Sequence, residues 1–137
     1  MKKIGTVIIF LFMIIIGGFP VLRGQEDRPE KIAIASDGDT IESQVGSQGA
    51  RCPWFLFFDA NGQLLETLEN PYWQERGGAG INCAELLAEK GVTIFVAGNV
   101  GHKMSAALES SGIASISFSG TVEDALAKAM ESIAGKH

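Results

Sequence analysis

The sequence predicts an α/β domain with a mixed five-stranded sheet and elements in the order βββαβαβα. Three observations predict it. Five short apolar runs of strand length are bounded by Gly, Pro, Asn or Asp, and the second and third are joined through Asn61-Gly62. Three stretches with apolar residues at helical spacing alternate with the later runs. Glycines stand where those helices should stop, at Gly91 and Gly112. An uncharged 19-residue stretch, Ile4 to Leu22, precedes the domain and reads as an N-terminal hydrophobic helix.

Each element follows from its residues. Lys31 to Ser36 (KIAIAS) is an apolar strand ending in the turn Asp37-Gly38-Asp39, and Thr40 to Pro53 is a polar, glycine-containing loop. Trp54 to Asp59 (WFLFFD) is a second strand. Ala60-Asn61-Gly62 makes a hairpin turn because Asn-Gly accepts positive φ, and Gln63 to Glu69 returns antiparallel. A second loop holds Tyr72 and Trp73, which either pack beneath it or line a pocket, and ends in Arg76-Gly77-Gly78-Ala79-Gly80. Ile81 to Lys90 is a helix with Ile81, Ala84, Leu87 and Ala88 expected on its inner face. Val92 to Ala97 is a buried strand, followed by Gly98-Asn99-Val100-Gly101 and a helix that points Met104, Ala107 and Leu108 inward. Ile113 to Phe118 is the last strand. Thr121 and Asp124 form a capping box that opens the last helix, whose stripe is Val122, Ala125, Leu126, Ala129, Met130 and Ile133.

The leader sets the expected compartment. Nineteen residues rise about 28 Å as a helix, close to the hydrocarbon thickness of a bilayer. Lys2 and Lys3 before the apolar run fit either a cleaved signal peptide or an uncleaved anchor, and Gly17, Gly18 and Pro20 near its end suit a cleavage region. Both readings leave residues 1–23 as leader, 24–30 as a polar linker and 31–134 as the domain. That domain is then membrane-anchored on the outer side, or secreted or periplasmic. Three of the eleven basic residues lie in the leader, so residues 24–137 carry eight basic against sixteen acidic residues, a net −8. That balance excludes a nucleic-acid partner and a polybasic lipid-binding surface; the membrane is a partner only through Ile4–Leu22.

Topology then locates the chemistry. If strands one, three, four and five run the same way, their carboxyl ends share one edge of the sheet with the start of strand two. The Asp37 turn, the 40–53 loop, the 76–80 loop, Gly98 to Gly101 and Ser119-Gly120 converge there, with three helix N-termini whose free N–H groups favour anions. Cys52 and Cys83 fall at the same edge. Three readings of the pair are open: a structural disulfide, as an exported domain favours; thiolate ligands of a metal or iron–sulfur centre; or two unrelated buried thiols. Two cysteines without CxxC spacing are too few for a closed metal site, so a metal set would add His102, a carboxylate or a second protomer. A thiol-redox role is a further alternative, without a resolving cysteine close in sequence. Arg51 and Arg76 flank the edge and can grip an anion. Asp37 and Asp39 read as turn residues. No Ser/His/Asp, Cys/His or paired-carboxylate arrangement compels an enzyme assignment, so no catalytic residue is named.

The ordered set Lys31–Gly38 (KIAIASDG), Arg51–Asp59 (RCPWFLFFD), Glu69–Pro71 (ENP), Gly77–Ile81 (GGAGI), Leu87–Val92 (LAEKGV), Ala97–Gly101 (AGNVG) and Gly120–Ala125 (GTVEDA) resembles the dinitrogenase iron–molybdenum cofactor biosynthesis family of NifX/NafY-type domains. The resemblance implies a ribonuclease-H-like fold and a non-enzymatic role, carrying an iron-containing cofactor of the iron–sulfur or iron–molybdenum type, with a metalloprotein as partner. The expected binding residues are Arg51, Cys52, Arg76, Gly77, Gly78, Gly80, Cys83, Asn99 and Gly101. Many relatives carry a histidine and a Phe-Gly pair just before the Arg-x-Pro element; Ser47-Gln48-Gly49-Ala50 stands there in this chain, so that histidine ligand is missing.

Overall fold

The computed structural model describes residues 29–135, and the expected leader and most of the linker lie outside them. Strands β1 (Lys31–Ser36), β2 (Trp54–Asp59) and β3 (Leu64–Glu69) are followed by α1 (Ala79–Glu89), β4 (Ile94–Ala97), α2 (His102–Ser110), β5 (Ala114–Ser117) and α3 (Val122–Gly135). They form a mixed five-stranded sheet, in the order β3-β2-β1-β4-β5, with three helices. β2 is antiparallel to β1 and β3, while β4 is parallel to β1 and β5. The carboxyl ends of β1, β3, β4 and β5 therefore share one edge.

Helices cover both faces, which is why the central strands read as unbroken apolar runs. On one face Ala33, Ala35, Phe55, Phe57 and Phe95 pack with Cys83, Ala84 and Leu87 of α1 and Met104 and Leu108 of α2. On the other Ile32, Ile34, Leu56, Phe58, Ile94 and Val96 pack with Val122, Ala125 and Ala129 of α3. The Phe55 and Phe95 rings meet edge to face, with centroids 5.9 Å apart.

Three local expectations change. α1 begins at Ala79, and its buried face is Ala79, Cys83, Ala84 and Leu87. Ile81 is 43% exposed and Ala88 lies outside, because Cys83 takes the inner position as a small apolar residue. In the hairpin only Gly62 has positive φ, at 85°. Asp59 sets that turn instead: its Oδ1 accepts from the N–H groups of Asn61 and Gln63, both at 2.9 Å. β4 starts at Ile94, since Thr93 uses its hydroxyl to accept from the Lys31 N–H at 3.0 Å. The helix stops hold, with Gly91 and Gly112 at φ 80° and 77°. Among the described residues no helix is long and apolar enough to cross a membrane.

The 37–53 loop is a strap over the shared edge. Val45 packs on the α3 face and Cys52 on the α1/α2 face, so the strap crosses from one to the other. Main-chain bonds pin it: Gly46 N–H donates to Ala35 O, Gly98 N–H to Gly46 O and Gly49 N–H to Asn99 O, each at 2.8 Å. A Cβ on Gly98 would sit 2.9 Å from the Ser47 Cα, so only glycine lets β4 end against the strap.

Candidate functional site

The strap divides the edge into two hollows. On the α1/α2 side is a cavity of about 400 Å³ lined by Gln48, Gly49, Ala50, Arg51, Arg76, Gly77, Gly78, Ala79, Gly80, Asn99, Gly101, Lys103 and Met104. On the α3 side Asp37, Ser119 and Gly120 line a separate hollow with Gln44, Ser47 and Phe118. The single convergence expected from the turns is thus two sites.

The first cavity collects positive charge. Arg51, Arg76 and Lys103 line it, and no Asp or Glu does. Two helices begin at its wall, α1 after Gly78 and α2 after Gly101. Neither has a side-chain cap or an acidic residue in its first turn, so their N-terminal dipoles and N–H groups add to the field. Gly78 adopts φ 78°, which keeps the Arg76–Ala79 turn tight. Gly80 lets the helices close up, since a Cβ there would lie 3.0 Å from Met104 Cβ. Gly77 and Gly101 have open space where a Cβ would be.

Arg51 does a different job from the one expected. Its Nη1 donates to Glu75 O and its Nη2 to Arg76 O at 3.2 Å, so the guanidinium clamps the 75–78 turn to the strap. Arg76 and Lys103 are exposed at the lining. Tyr72 packs against the core, whereas Trp73 is 40% exposed.

The cysteines lie beneath the cavity and do not line it. Both are buried and free, so the disulfide expectation is corrected. Cys52 Sγ donates to Gly49 O at 3.5 Å, and Cys83 Sγ approaches Asn70 Oδ1 at 3.6 Å and Ala50 O at 3.8 Å. Burial pushes the Cys52 thiol up to about 12, with the neighbouring Cys83 adding to the shift. Burial likewise pushes Cys83 up to about 11. Both are therefore neutral thiols near pH 7, hydrogen-bonded to oxygens.

His102 does not join them. It is exposed at the first position of α2, and among the described residues no group of three His, Cys, Asp or Glu could hold a metal ion. The expected set Cys52, Cys83 and His102 is thus not brought together, because the thiols face the core and His102 faces outward. Of the remaining expected binding residues, Arg51, Arg76, Gly77, Gly78, Gly80, Asn99 and Gly101 line the cavity.

Sequence reasoning missed Lys103 and Asn70. Lys103 had a signal, a cation beside Gly101 in a helix start without acids. Asn70 is 2% exposed. It donates from Nδ2 to Cys52 O at 2.8 Å and Ala50 O at 3.1 Å, and its Oδ1 accepts from Tyr72 N–H at 2.9 Å. One amide thus staples the strap to the loop after β3. Its only local signal was its place between a strand end and Pro71.

The model of the dinitrogenase iron-molybdenum cofactor family matches residues 30–132. The chain belongs to that family. Among solved structures it is similar to the apo form of the orange protein from Desulfovibrio gigas, at 29% identity and TM-score 0.70 over 75% of this chain and 88% of that one. It is also similar to a Thermotoga protein described as a NifB protein, at 31% identity and TM-score 0.65 over 74% and 88%. A dinitrogenase-like protein of Methanocaldococcus jannaschii shares the fold alone, at 15% identity and TM-score 0.56 over 76% and 90%. No curated protein matches the sequence.

Proposed function

We propose that this domain binds and carries an anionic, iron-containing cofactor of the iron–molybdenum type in the cavity between Gln48–Arg51, Arg76–Gly80 and Asn99–Met104. The observation that carries the proposal is the lining: three cations, two uncapped helix starts and no carboxylate, although residues 24–137 carry a net −8. Such a wall attracts a polyanion and supplies N–H donors to its periphery. Family membership supports the identity of the cargo, and the strand order supports the ribonuclease-H-like assignment.

The cargo is held by charge and hydrogen bonds. Cys52 and Cys83 support the floor without ligating it. Gly77 and Gly101 leave room for it, and Arg51 holds the 75–78 turn open through its two carbonyl contacts. The domain acts as a carrier rather than a catalyst, handing its cargo to a metalloprotein. With Ile4–Leu22 as signal or anchor, it does so outside the cytoplasm. The disulfide-stapled and thiol-redox alternatives lose their ground in two buried, protonated thiols.

The test is metal and sulfide analysis of protein purified without oxygen, with Arg76→Glu/Lys103→Glu alongside. Iron retained by the native chain and lost from the double variant is the expected result. Equal iron in both, or none in either after incubation with an iron–sulfur donor, overturns the proposal.

A further inference from the structure

The two edges of the sheet are finished differently. β3 carries Glu66 and Glu69, and its register against β2 shifts between Phe57 and Phe58, skipping Leu65. Charges and a bulge are what keep an edge from accepting another strand. β5 has neither. Its residues are Ala114, Ser115, Ile116 and Ser117, all uncharged, and its pairing with β4 is regular.

The outward groups of β5 follow from that pairing. Ala114 N–H donates to Thr93 O at 2.9 Å and Phe118 N–H to Ala97 O at 3.0 Å. A ladder alternates, so Ile116 also faces β4, and the main-chain N–H and C=O groups of Ser115 and Ser117 face outward. On the α3 side, beside Ile116, lies a hollow lined by Lys128, Glu131 and Ser132. Lys128 and Glu131 are exposed, one turn apart, and their own contact is long at 4.0 Å.

We propose that β5 is the seam of a two-fold homodimer, pairing antiparallel with β5 of a second copy into a continuous ten-stranded sheet. With the axis at Ile116, Ser115 lies opposite the second copy's Ser117 and the reverse, which makes about four main-chain hydrogen bonds. The two Ile116 side chains meet on the α3 face as a non-hydrogen-bonded pair, where side chains approach most closely. No like charges oppose one another along the strand. The same rotation turns α3 antiparallel to its mate, so Lys128 of each copy approaches Glu131 of the other. Opposite signs at reciprocal positions are what an isologous interface requires. The seam leaves the cavity of each copy open, since none of these residues lines it.

The test uses full-length protein and site-directed crosslinking. Ile116→Cys oxidised with copper phenanthroline should give a covalent dimer, whereas Leu65→Cys on the opposite edge should not. Ser115→Pro removes an outward N–H and leaves the bonds to β4 intact. In the Ile116→Cys background it should cut the crosslinked yield at least tenfold. Should Ser115→Pro fold poorly, Ile116→Lys sets like charges on the axis and should shift sedimentation to the monomer. A chain that sediments as a monomer at all concentrations overturns the seam, as does equal crosslinking from Leu65→Cys.

Discussion

The helix starts on the two faces of the sheet are built in opposite ways. α3 opens conventionally: Thr121 Oγ1 accepts from Asp124 N–H at 3.2 Å, and Glu123 and Asp124 fill its first turn. That end is satisfied internally and carries negative charge. α1 and α2 open after Gly78 and Gly101 with no side-chain cap and no acid. Their first N–H groups have no side-chain acceptor, and Arg51, Arg76 and Lys103 lie beside them. The same contrast runs through the cores. The α3 face is wholly apolar, while the α1/α2 face holds two thiols and the Asn70 amide. The difference teaches that a binding face is one whose polar groups are aimed outward while those beneath it are tied off.

The largest effect that would sharpen this contrast is in thiol reactivity. If the groups beneath the cavity are tied off, native Cys52 and Cys83 should react with iodoacetamide at pH 8 roughly a hundred- to a thousandfold more slowly than in urea, since the reacting thiolate is scarce. Rapid labelling of either native thiol breaks the comparison. The same raised values tie stability to pH. The folded thiols keep their protons to about 12 and about 11, whereas unfolded thiols lose theirs near 9.0. Their contribution is fully present below pH 9 and falls as the pH rises towards 11–12. Thermal melting should therefore drop above pH 9, and drop less steeply in Cys52→Ala/Cys83→Ala.

Next in size is Asn70→Ala. It strands Ala50 O, Cys52 O and Tyr72 N–H, and should cost about 3 kcal/mol in urea unfolding, roughly a hundredfold in the equilibrium. A cost under 1 kcal/mol would mean the staple is dispensable. Lys103→Glu should leave stability unchanged and weaken cofactor retention about tenfold. Glu123→Lys on α3 should leave retention unaltered, and equal effects at the two positions would erase the distinction between the helix starts. Smallest is Thr121→Ala, at about 1 kcal/mol for a lost cap. The corresponding Gly101→Ala should cost only a few tenths, since no side-chain cap is there to lose; calorimetric melts of the pair measure the difference.

Much of the fold was legible because it rests on local rules. Strand runs such as WFLFFD, the Gly91 and Gly112 stops and the α3 stripe each depend on residues close in sequence. Strand directions followed from the hairpin and the right-handed crossovers. The site was legible at the level of its turns, since glycines and cations mark them. What the sequence withheld depends on distant contacts. Whether Cys83 or Ile81 faces the core is decided by a rotation of α1 against the sheet. Whether Arg51 grips a ligand or the 75–78 turn is decided by carbonyls 24 and 25 residues away. Asn70 looks like any turn asparagine until the strap lies over it.

The cavity sits at the carboxyl ends of β1 and β4, while the chain enters the sheet at Lys31, at the other end of β1. Six residues of strand separate them, about 20 Å. The cavity and the entry of the chain therefore lie at opposite ends of the central strands. A second protein can therefore approach the cavity without meeting the point where the chain enters the sheet.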